Sequence, residues 1–321
     1  MDTASHIMLG VTLGGLATID PSVNGDHVAA AVMLGTILAS NAPDFDTVFR
    51  LKGMNSYIRH HRGITHSLPA LLIWPMMITL LLVPIFDIHT HWVSLLLWSF
   101  LGVGLHVFLD MLNTYGVQSL RPLNKRWVHL DILAIFEPFL FAIHGAGLLL
   151  WFGFGYTPGP IFLWIYTITF AYIVIRFIQH RLLLKKVQQY IGVDGIYHVI
   201  PTLHWLKWSF VMETDECFYT GTIRSGLVNV QDTYAKDEKN EIIQATMGMD
   251  GVRAFLSFAQ RIHVCSTVQS NGDGYEVHWS DVRFWYKSNL AFGVDIQFDR
   301  NMNVIGQRLG WRKKKWDPPY M

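Results

Sequence analysis

Between residues 68 and 180 the chain carries four long apolar runs in succession, and nothing else in it restricts the fold as strongly. They are Leu68–Phe86, Trp92–Leu112, Ile132–Phe152 and Ile161–His180, each near the roughly 20 residues that a helix needs to cross a bilayer core. In hydrocarbon every backbone polar group must be satisfied within its own segment, so each run is predicted to be a membrane-spanning helix. Trp74, Trp92, Trp151 and Trp164 fall near segment ends, where interfacial anchors belong, and Pro75 and Pro84 are predicted to bend the first helix. Two earlier runs, Ile7–Ile19 and His27–Ser40, have only about 13 residues and read as a short re-entrant or partly buried helical pair.

Charge sets the orientation. The connections 20–26, 87–91 and 153–160 contain no Lys or Arg. Opposite them, 41–66 holds Arg50, Lys52, Arg59 and Arg62, and 113–131 holds Arg121, Lys125 and Arg126. The last run exits into Arg181, Lys185 and Lys186, with Arg176 one turn inside the same end. The positive-inside rule therefore predicts a multi-pass protein of the cell membrane with both termini in the cytoplasm. No cleavable signal is read at the start, which opens on Asp2 and His6 rather than a basic stretch. The formal net charge of +1 creates no global field to recruit nucleic acid, and Arg312-Lys313-Lys314-Lys315 reads as a solvated tail or a lipid-headgroup contact. Cys217 and Cys265 lack metal spacing and suit core packing in a reducing compartment.

Two domains are expected, a helical membrane domain over 1–190 and a small mainly-β cytoplasmic domain over 191–321. In the second, Trp205–Glu213 and Phe218–Arg224 alternate like strands. Asn271-Gly272-Asp273-Gly274 is a turn signal between Ile262–Val268 and Tyr275–Trp285. Ala291–Phe298 and Val304–Trp311 form a further hairpin, and Asp250–Gln260 an amphipathic helix.

Polar residues suited to chemistry gather on the predicted cytoplasmic face of the first domain. His106 and Asp110 are four apart on a helix, so an imidazole and a carboxylate share a face and can grip one cation, Zn²⁺ or Mn²⁺. An Asp in a membrane helix costs roughly 2.5–3.5 kcal/mol unless paired, which marks a site; a buried His–Asp bond clamping two helices is the alternative. In Asn41-Ala-Pro-Asp44-Phe-Asp46 one carboxylate suits a metal and the other suits orienting a ligand histidine, although the sequence also fits a plain turn. Arg59-His60-His61-Arg62-Gly63-Ile64-Thr65-His66 packs three imidazoles and two guanidiniums together. Imidazoles suit metal and guanidiniums an anionic substrate, whereas a lipid-touching basic loop would explain only the arginines. His6 follows Asp2 by four residues and is a further candidate ligand, or else sits beside an N-cap at Thr3 or Ser5. Asn113 and Tyr115 are candidate substrate or supporting contacts, and His129 and Asp131 read as structural. His144, His180, His198, His204, His263 and His278 read as ordinary.

Taken together, the Asp2–His6 start, Asn41-x-Pro-Asp44-x-Asp46, His60-His61-Arg62-Gly63-x-Thr65-His66-Ser67 and His106-x-x-x-Asp110-x-x-Asn113-x-Tyr115-Gly116 resemble the YdjM-like family of membrane-bound metal-dependent hydrolases over about residues 1–180. More distantly, the order of motifs is similar to zinc-dependent phospholipase C and single-strand nucleases. That resemblance implies a phospholipase-C-like metal site with one to three ions, in which His6, Asp44, His66 (or His60 or His61), His106 and Asp110 are ligands. The chain lacks a clear counterpart of the later His-x-x-x-Glu of that superfamily, so the ion count stays open. Asp46, Arg59, Arg62 and Asn113 are the candidate groups acting on substrate.

The function expected is hydrolysis of a lipid-linked or amphiphilic phosphoester at the inner leaflet, with Zn²⁺ as the first candidate ion and Mn²⁺ as the second. The alternative is a non-enzymatic membrane regulator that holds a cytoplasmic protein or transcription factor through residues 191–321. A transporter is a weaker reading, because the ligands cluster at one face rather than near the midplane. Direct nucleic-acid binding is not expected, since no helix-turn-helix signature or broad basic face is present.

Overall fold

The computed structural model describes residues 1–236, 240–260, 263–270, 272 and 274–312. Ile262, Asn271, Asp273 and the lysines of the basic run, Lys313 to Lys315, lie outside the described residues. The chain divides into two compact units. The first comprises Met1–Thr47 and His61–His180, and the second comprises Val48–His60 with everything from Arg181 onward.

The first unit is helical. Its elements are α1 (Thr3–Leu16), α2 (Asp26–Ala39), then α4 (Leu68–Phe86), α5 (Trp92–Met111), α6 (Pro138–Leu148) and the first two thirds of α7 (Pro158–Ile191). Between α2 and α4 lies α3 (Met54–His60), which belongs to the second unit. Among the described residues three helices, α4, α5 and α7, are long and apolar enough to cross a membrane. A fourth span exists only if α2 is joined to the 3₁₀ segment Ala42–Lys52, across a 44° bend. Four unbroken spans were expected, and the third expected run is the one that differs. Residues 132–137 form no helix there; the amides of Ile132 and Leu133 bond back to the Leu112 carbonyl at 2.8 and 3.0 Å. Glu137, buried and accepting from the Tyr172 hydroxyl and the Ala134 amide, ends that segment, and Pro138 starts the helix with its φ already set. Only Pro138–Gly153 remains helical, too short to count as a span. Pro75 and Pro84 both lie inside one continuous α4.

Small residues let the first helices approach closely, as in membrane bundles generally. A Cβ on Gly10 would stand 2.8 Å from the Ile37 Cα of α2, and one on Gly102 would stand 2.8 Å from the Ala39 Cβ. Both contacts are tighter than carbon atoms allow, so glycine is what brings α1 and α5 onto the C-terminal end of α2. Leu9, Leu13, Ala31, Val32, Leu95 and Val103 fill the seam between them.

The second unit is built from antiparallel sheets. One has order β1 (Ile196–Pro201), β2 (Lys207–Glu213), β3 (Cys217–Arg224), β4 (Leu227–Ala235). After α8 (Glu241–Thr246) and α9 (Asp250–Ala259), a second has order β10 (Val304–Trp311), β9 (Phe292–Asp299), β6 (Gly274–Asp281), β5 (Val264–Ser270). A short pair, β7 (Trp285–Tyr286) with β8 (Asn289–Leu290), completes it. The expected domain boundary at 190 moves to 180 because the last turns of α7 carry an apolar stripe. Leu183, Leu184, Val187 and Ile191 pack on Val199, Trp208, Phe210 and Ile223 of the first sheet. Residues 48–60 also join this unit: Arg59 pairs with Asp250 at 2.5 Å, and Asn55 donates to the same carboxylate at 3.0 Å. Both cysteines are free, with Cys265 buried in the core beside Val211, Phe218 and Val282.

Candidate metal centre

Four side chains in the helical unit point ligand atoms at one place. His106 and Asp110 come from α5, His66 from the 3₁₀ turn before α4, and Asp44 from the turn after α2. His66 Nε2 lies 3.6 Å from both Asp44 Oδ1 and Asp110 Oδ2, and His106 Nε2 lies 3.7 Å from the same two atoms. The two Nε2 atoms are 3.2 Å apart. Four ligands about 2.1 Å from a tetrahedral ion would be separated by roughly 3.4 Å, close to these five separations.

The hydrogen bonds behind these atoms fix what faces the centre. His106 Nδ1 lies 2.7 Å from the Ser40 carbonyl, which can only accept, so Nδ1 carries the proton and Nε2 offers a lone pair. The Thr65 hydroxyl donates to Asp46 Oδ2 at 2.5 Å, leaving its oxygen to accept from His66 Nδ1 at 3.0 Å. His66 Nε2 therefore also presents a lone pair. Two such nitrogens 3.2 Å apart, flanked by two carboxylates, call for a positive charge between them, either a proton on His66, whose pKa is raised, or a metal cation. Asp44 Oδ1 and Asp110 Oδ2 are buried and accept no hydrogen bond from any group. Two unbonded carboxylate oxygens converging on two imidazole nitrogens is an arrangement that fits a divalent cation.

Electrostatics point the same way. Burial pushes the His66 pKa down, but the Asp110 and Asp44 carboxylates outweigh it and the net shift is upward. Burial would raise Asp44, yet His106 and His66 hold it well below the usual carboxylate range. Asp46 is depressed against the effect of burial by His61, His66 and Thr65.

The other predicted residues divide into those brought to the centre and those left away. Asp46 anchors the histidine loop: Oδ1 meets His61 Nδ1 at 2.6 Å, and Oδ2 accepts from the Arg62 amide at 2.9 Å and from Thr65. With Asp44 and His61 it forms a second group of adjacent ligand atoms. His6 stacks on His106 with ring centroids 3.9 Å apart and places Nε2 3.4 Å from Asp110 Oδ1, outside the four-atom group. The amine of Met1 meets the same Asp110 oxygen. Asp2 caps α1, accepting from the Ser5 amide and hydroxyl, so the cap is neither Thr3 nor Ser5. Arg62 is buried and bonds Asp110 at 3.1 Å and Asn113 Oδ1 at 3.2 Å, so its charge balances Asp110 rather than facing an open anion site. Asn113 Oδ1 also accepts from the Tyr115 and Gly116 amides, turning the chain at the end of α5.

Two expected site residues are not brought in. Arg59 is committed to Asp250, and His60 bonds the Ser56 carbonyl and stacks on Phe49 at 4.5 Å, both within the second unit. The last turn of α3 carries them away from His61, which starts the loop. Sequence reasoning missed Ser40 and Thr65 as the groups that set the two histidine tautomers. Thr65, one residue before a candidate ligand in an Asp-rich neighbourhood, was the legible signal; a backbone carbonyl carries none.

The comparisons with known proteins cover both units. The family described as YdjM inner membrane protein matches residues 1–183, more than half of the chain. The chain belongs to the YdjM family. Residues 241–317 match the YfhP C-terminal alpha/beta plait domain. Over 316 residues the chain is 36% identical to the protein of Bacillus subtilis (strain 168) named "Uncharacterized protein YfhP", covering 97% of this chain and 95% of that one. No solved structure matches. As a YdjM member with three long apolar helices, the chain is a membrane protein with His and Asp groups placed to hold a metal ion.

Proposed function

We propose that this protein is a metal-dependent hydrolase of an amphiphilic phosphoester at the cytoplasmic face of the cell membrane, a centre of the phospholipase-C-like kind with Zn²⁺ as the first candidate ion and Mn²⁺ as the second. The carrying observation is the convergence of His66, His106, Asp44 and Asp110, two of whose carboxylate oxygens accept no hydrogen bond. A divalent cation held there supplies positive charge for phosphoryl oxygens and acidifies water. Ser40 and Thr65 hold both imidazoles in the binding tautomer, and Asp46 locks the loop that carries His66. Arg62 and Asn113 position Asp110. Asp44 is the half-open member of the set, so a substrate would approach from its side.

Purified full-length protein tests this directly. Metal content near one equivalent or more, with hydrolysis of at least one phosphodiester or phospholipid in a broad panel, supports the reading. Asp44→Asn and His106→Ala are each expected to lower that rate more than 100-fold, because each removes a ligand. Orientation has its own test: a cysteine at Thr90 should label from outside intact cells and one at Asn124 should not.

A second reading is favoured by burial: His66, His106 and Asp110 are almost completely sealed. In it the metal clamps the N-terminal helices and residues 191–321 hold a cytoplasmic partner. A metal-loaded preparation that turns over nothing across the panel, with both ligand variants still complementing a deletion, would favour the clamp.

A further inference from the structure

Beside the metal centre a cavity of 430 Å³ is lined by Ile64, Thr65, Ser67, the first turns of α4 at Ala70, Ile73 and Trp74, and the segment carrying Arg121 and Lys125. Its size falls in the range of small-molecule sites, roughly 300–1,000 Å³. Its few polar walls are already satisfied internally. The Ser67 hydroxyl donates to the Ile64 carbonyl at 2.6 Å, that of Thr65 to Asp46, and the Trp74 indole to the Thr65 carbonyl at 3.1 Å. What remains toward the cavity is hydrocarbon, with two cations at one side. Among the described residues neither Arg121 nor Lys125 has an ion-pair partner, and Arg121 Nε is buried with no hydrogen bond. Arg59 and Arg62, by contrast, are both spent on carboxylates. The same helix continues into Leu72, Met76, Met77 and Leu80, all exposed as a lipid-facing surface would be. His66 sits between Thr65 and Ser67, so one loop forms the wall of both the cavity and the metal centre.

We propose that this cavity holds a hydrocarbon chain of an anionic phospholipid taken laterally from the bilayer, with its phosphate held by Arg121 and Lys125. This deepens the hydrolase reading and rests on it for the claim that the bound lipid is the substrate. A chain moving from bilayer hydrocarbon into an apolar groove gains little from the hydrophobic effect, so the groove supplies shape and the phosphate between two cations supplies selectivity for anionic headgroups.

The test uses full-length protein in nanodiscs with phosphatidic acid carrying a photoactivatable diazirine in its acyl chain, beside the matching phosphatidylcholine. Crosslinks are expected within residues 64–74, at least fivefold more from phosphatidic acid. Arg121→Gln with Lys125→Gln should reduce that preference to near unity. Ile73→Trp, at a half-exposed position that tolerates bulk, should block labelling of 64–74 by both lipids. Lysophosphatidic acid should compete and inorganic phosphate should not. Labelling spread along the outer face of α4 and unaffected by Ile73→Trp would overturn the proposal, as would competition by phosphate equal to that of the lysolipid. The hydrolase reading fails separately: a preparation that crosslinks as expected but hydrolyses nothing keeps the lipid site and loses the enzyme. One that hydrolyses a water-soluble phosphodiester without labelling 64–74 keeps the enzyme and loses the site.

Discussion

The two units differ in how completely their carboxylates are satisfied. In the β-rich unit buried Asp281 takes a bidentate bond from Arg283, and of the half-buried carboxylates Asp295 is held by His278 and Arg312 and Glu213 by Lys236 and His263. In the helical unit Asp44 Oδ1 and Asp110 Oδ2 are buried without a hydrogen bond, although Arg62 balances the Asp110 charge from 3.1 Å. The surfaces differ too. Trp208, Phe210 and Phe218 are buried completely in the sheets, whereas α4 exposes Leu72, Ile73, Met76 and Leu80. Paired buried charges are architecture, because removing either partner strands the other. The oxygens without a hydrogen bond beside His66 and His106 are placed where a metal ion could be held.

The sharpest way to break this contrast is to remove one charge from each unit. Asp110→Asn should abolish bound metal, from about one equivalent to below about a tenth, by mass spectrometry of the purified protein. Asp281→Asn should leave metal content intact and instead destabilise the second unit by about 3 kcal/mol, read as faster amide exchange in β6. Metal lost equally in both variants would mean the two kinds of charge are not distinct.

A smaller effect should come from packing behind the centre. Gly102 lies one turn before His106 and has no room for a Cβ beside Ala39. Gly102→Ala should shift α5 from α2, lengthen the bond from His106 to the Ser40 carbonyl, and weaken metal binding roughly tenfold, the scale of losing an outer support. Unchanged affinity would show that the centre does not depend on that helix contact.

The smallest effect concerns pH in the paired region. Burial alone would raise the Glu213 pKa, but His263 and Lys236 bring it down to about 2 from an ordinary 4.5. A depressed carboxylate contributes stability that is complete above its unfolded pKa and lost as pH falls through the folded one. Exchange protection in β2 and β3 should therefore hold at pH 6 and decline between about pH 4.5 and 2, by on the order of 1–2 kcal/mol. Glu213→Gln should flatten that decline.

Much of the architecture could be read from periodicity. The alternation over Trp205–Glu213 and Phe218–Arg224 matches β2 and β3, and the amphipathic Asp250–Gln260 matches α9 within a residue. The expected span over Ile132–Phe152 shows the limit. Hydropathy averages over a window and passes through Glu137-Pro138, while the fold responds to the single buried carboxylate and the proline. For the centre, spacing alone put His106 and Asp110 on one helical face, and motif content drew in Asp44 and His66. Spacing did not separate His60 from His61, neighbours in sequence that end in different units.

What the sequence by itself determined is the class of environment: apolar runs of a given length, a turn-rich alternating tail, and ligand-type side chains near the ends of helices. These are properties of local composition and period, and they survive without knowing any long-range contact. Only the tertiary structure decided which nitrogen of each histidine is free, which oxygens stay unpaired, and that Arg59 is spent on Asp250 while Arg121 is not. Those outcomes depend on partners tens to hundreds of residues away. A hydrogen bond is set by position and direction within a few tenths of an ångström, and no one-dimensional pattern carries that information.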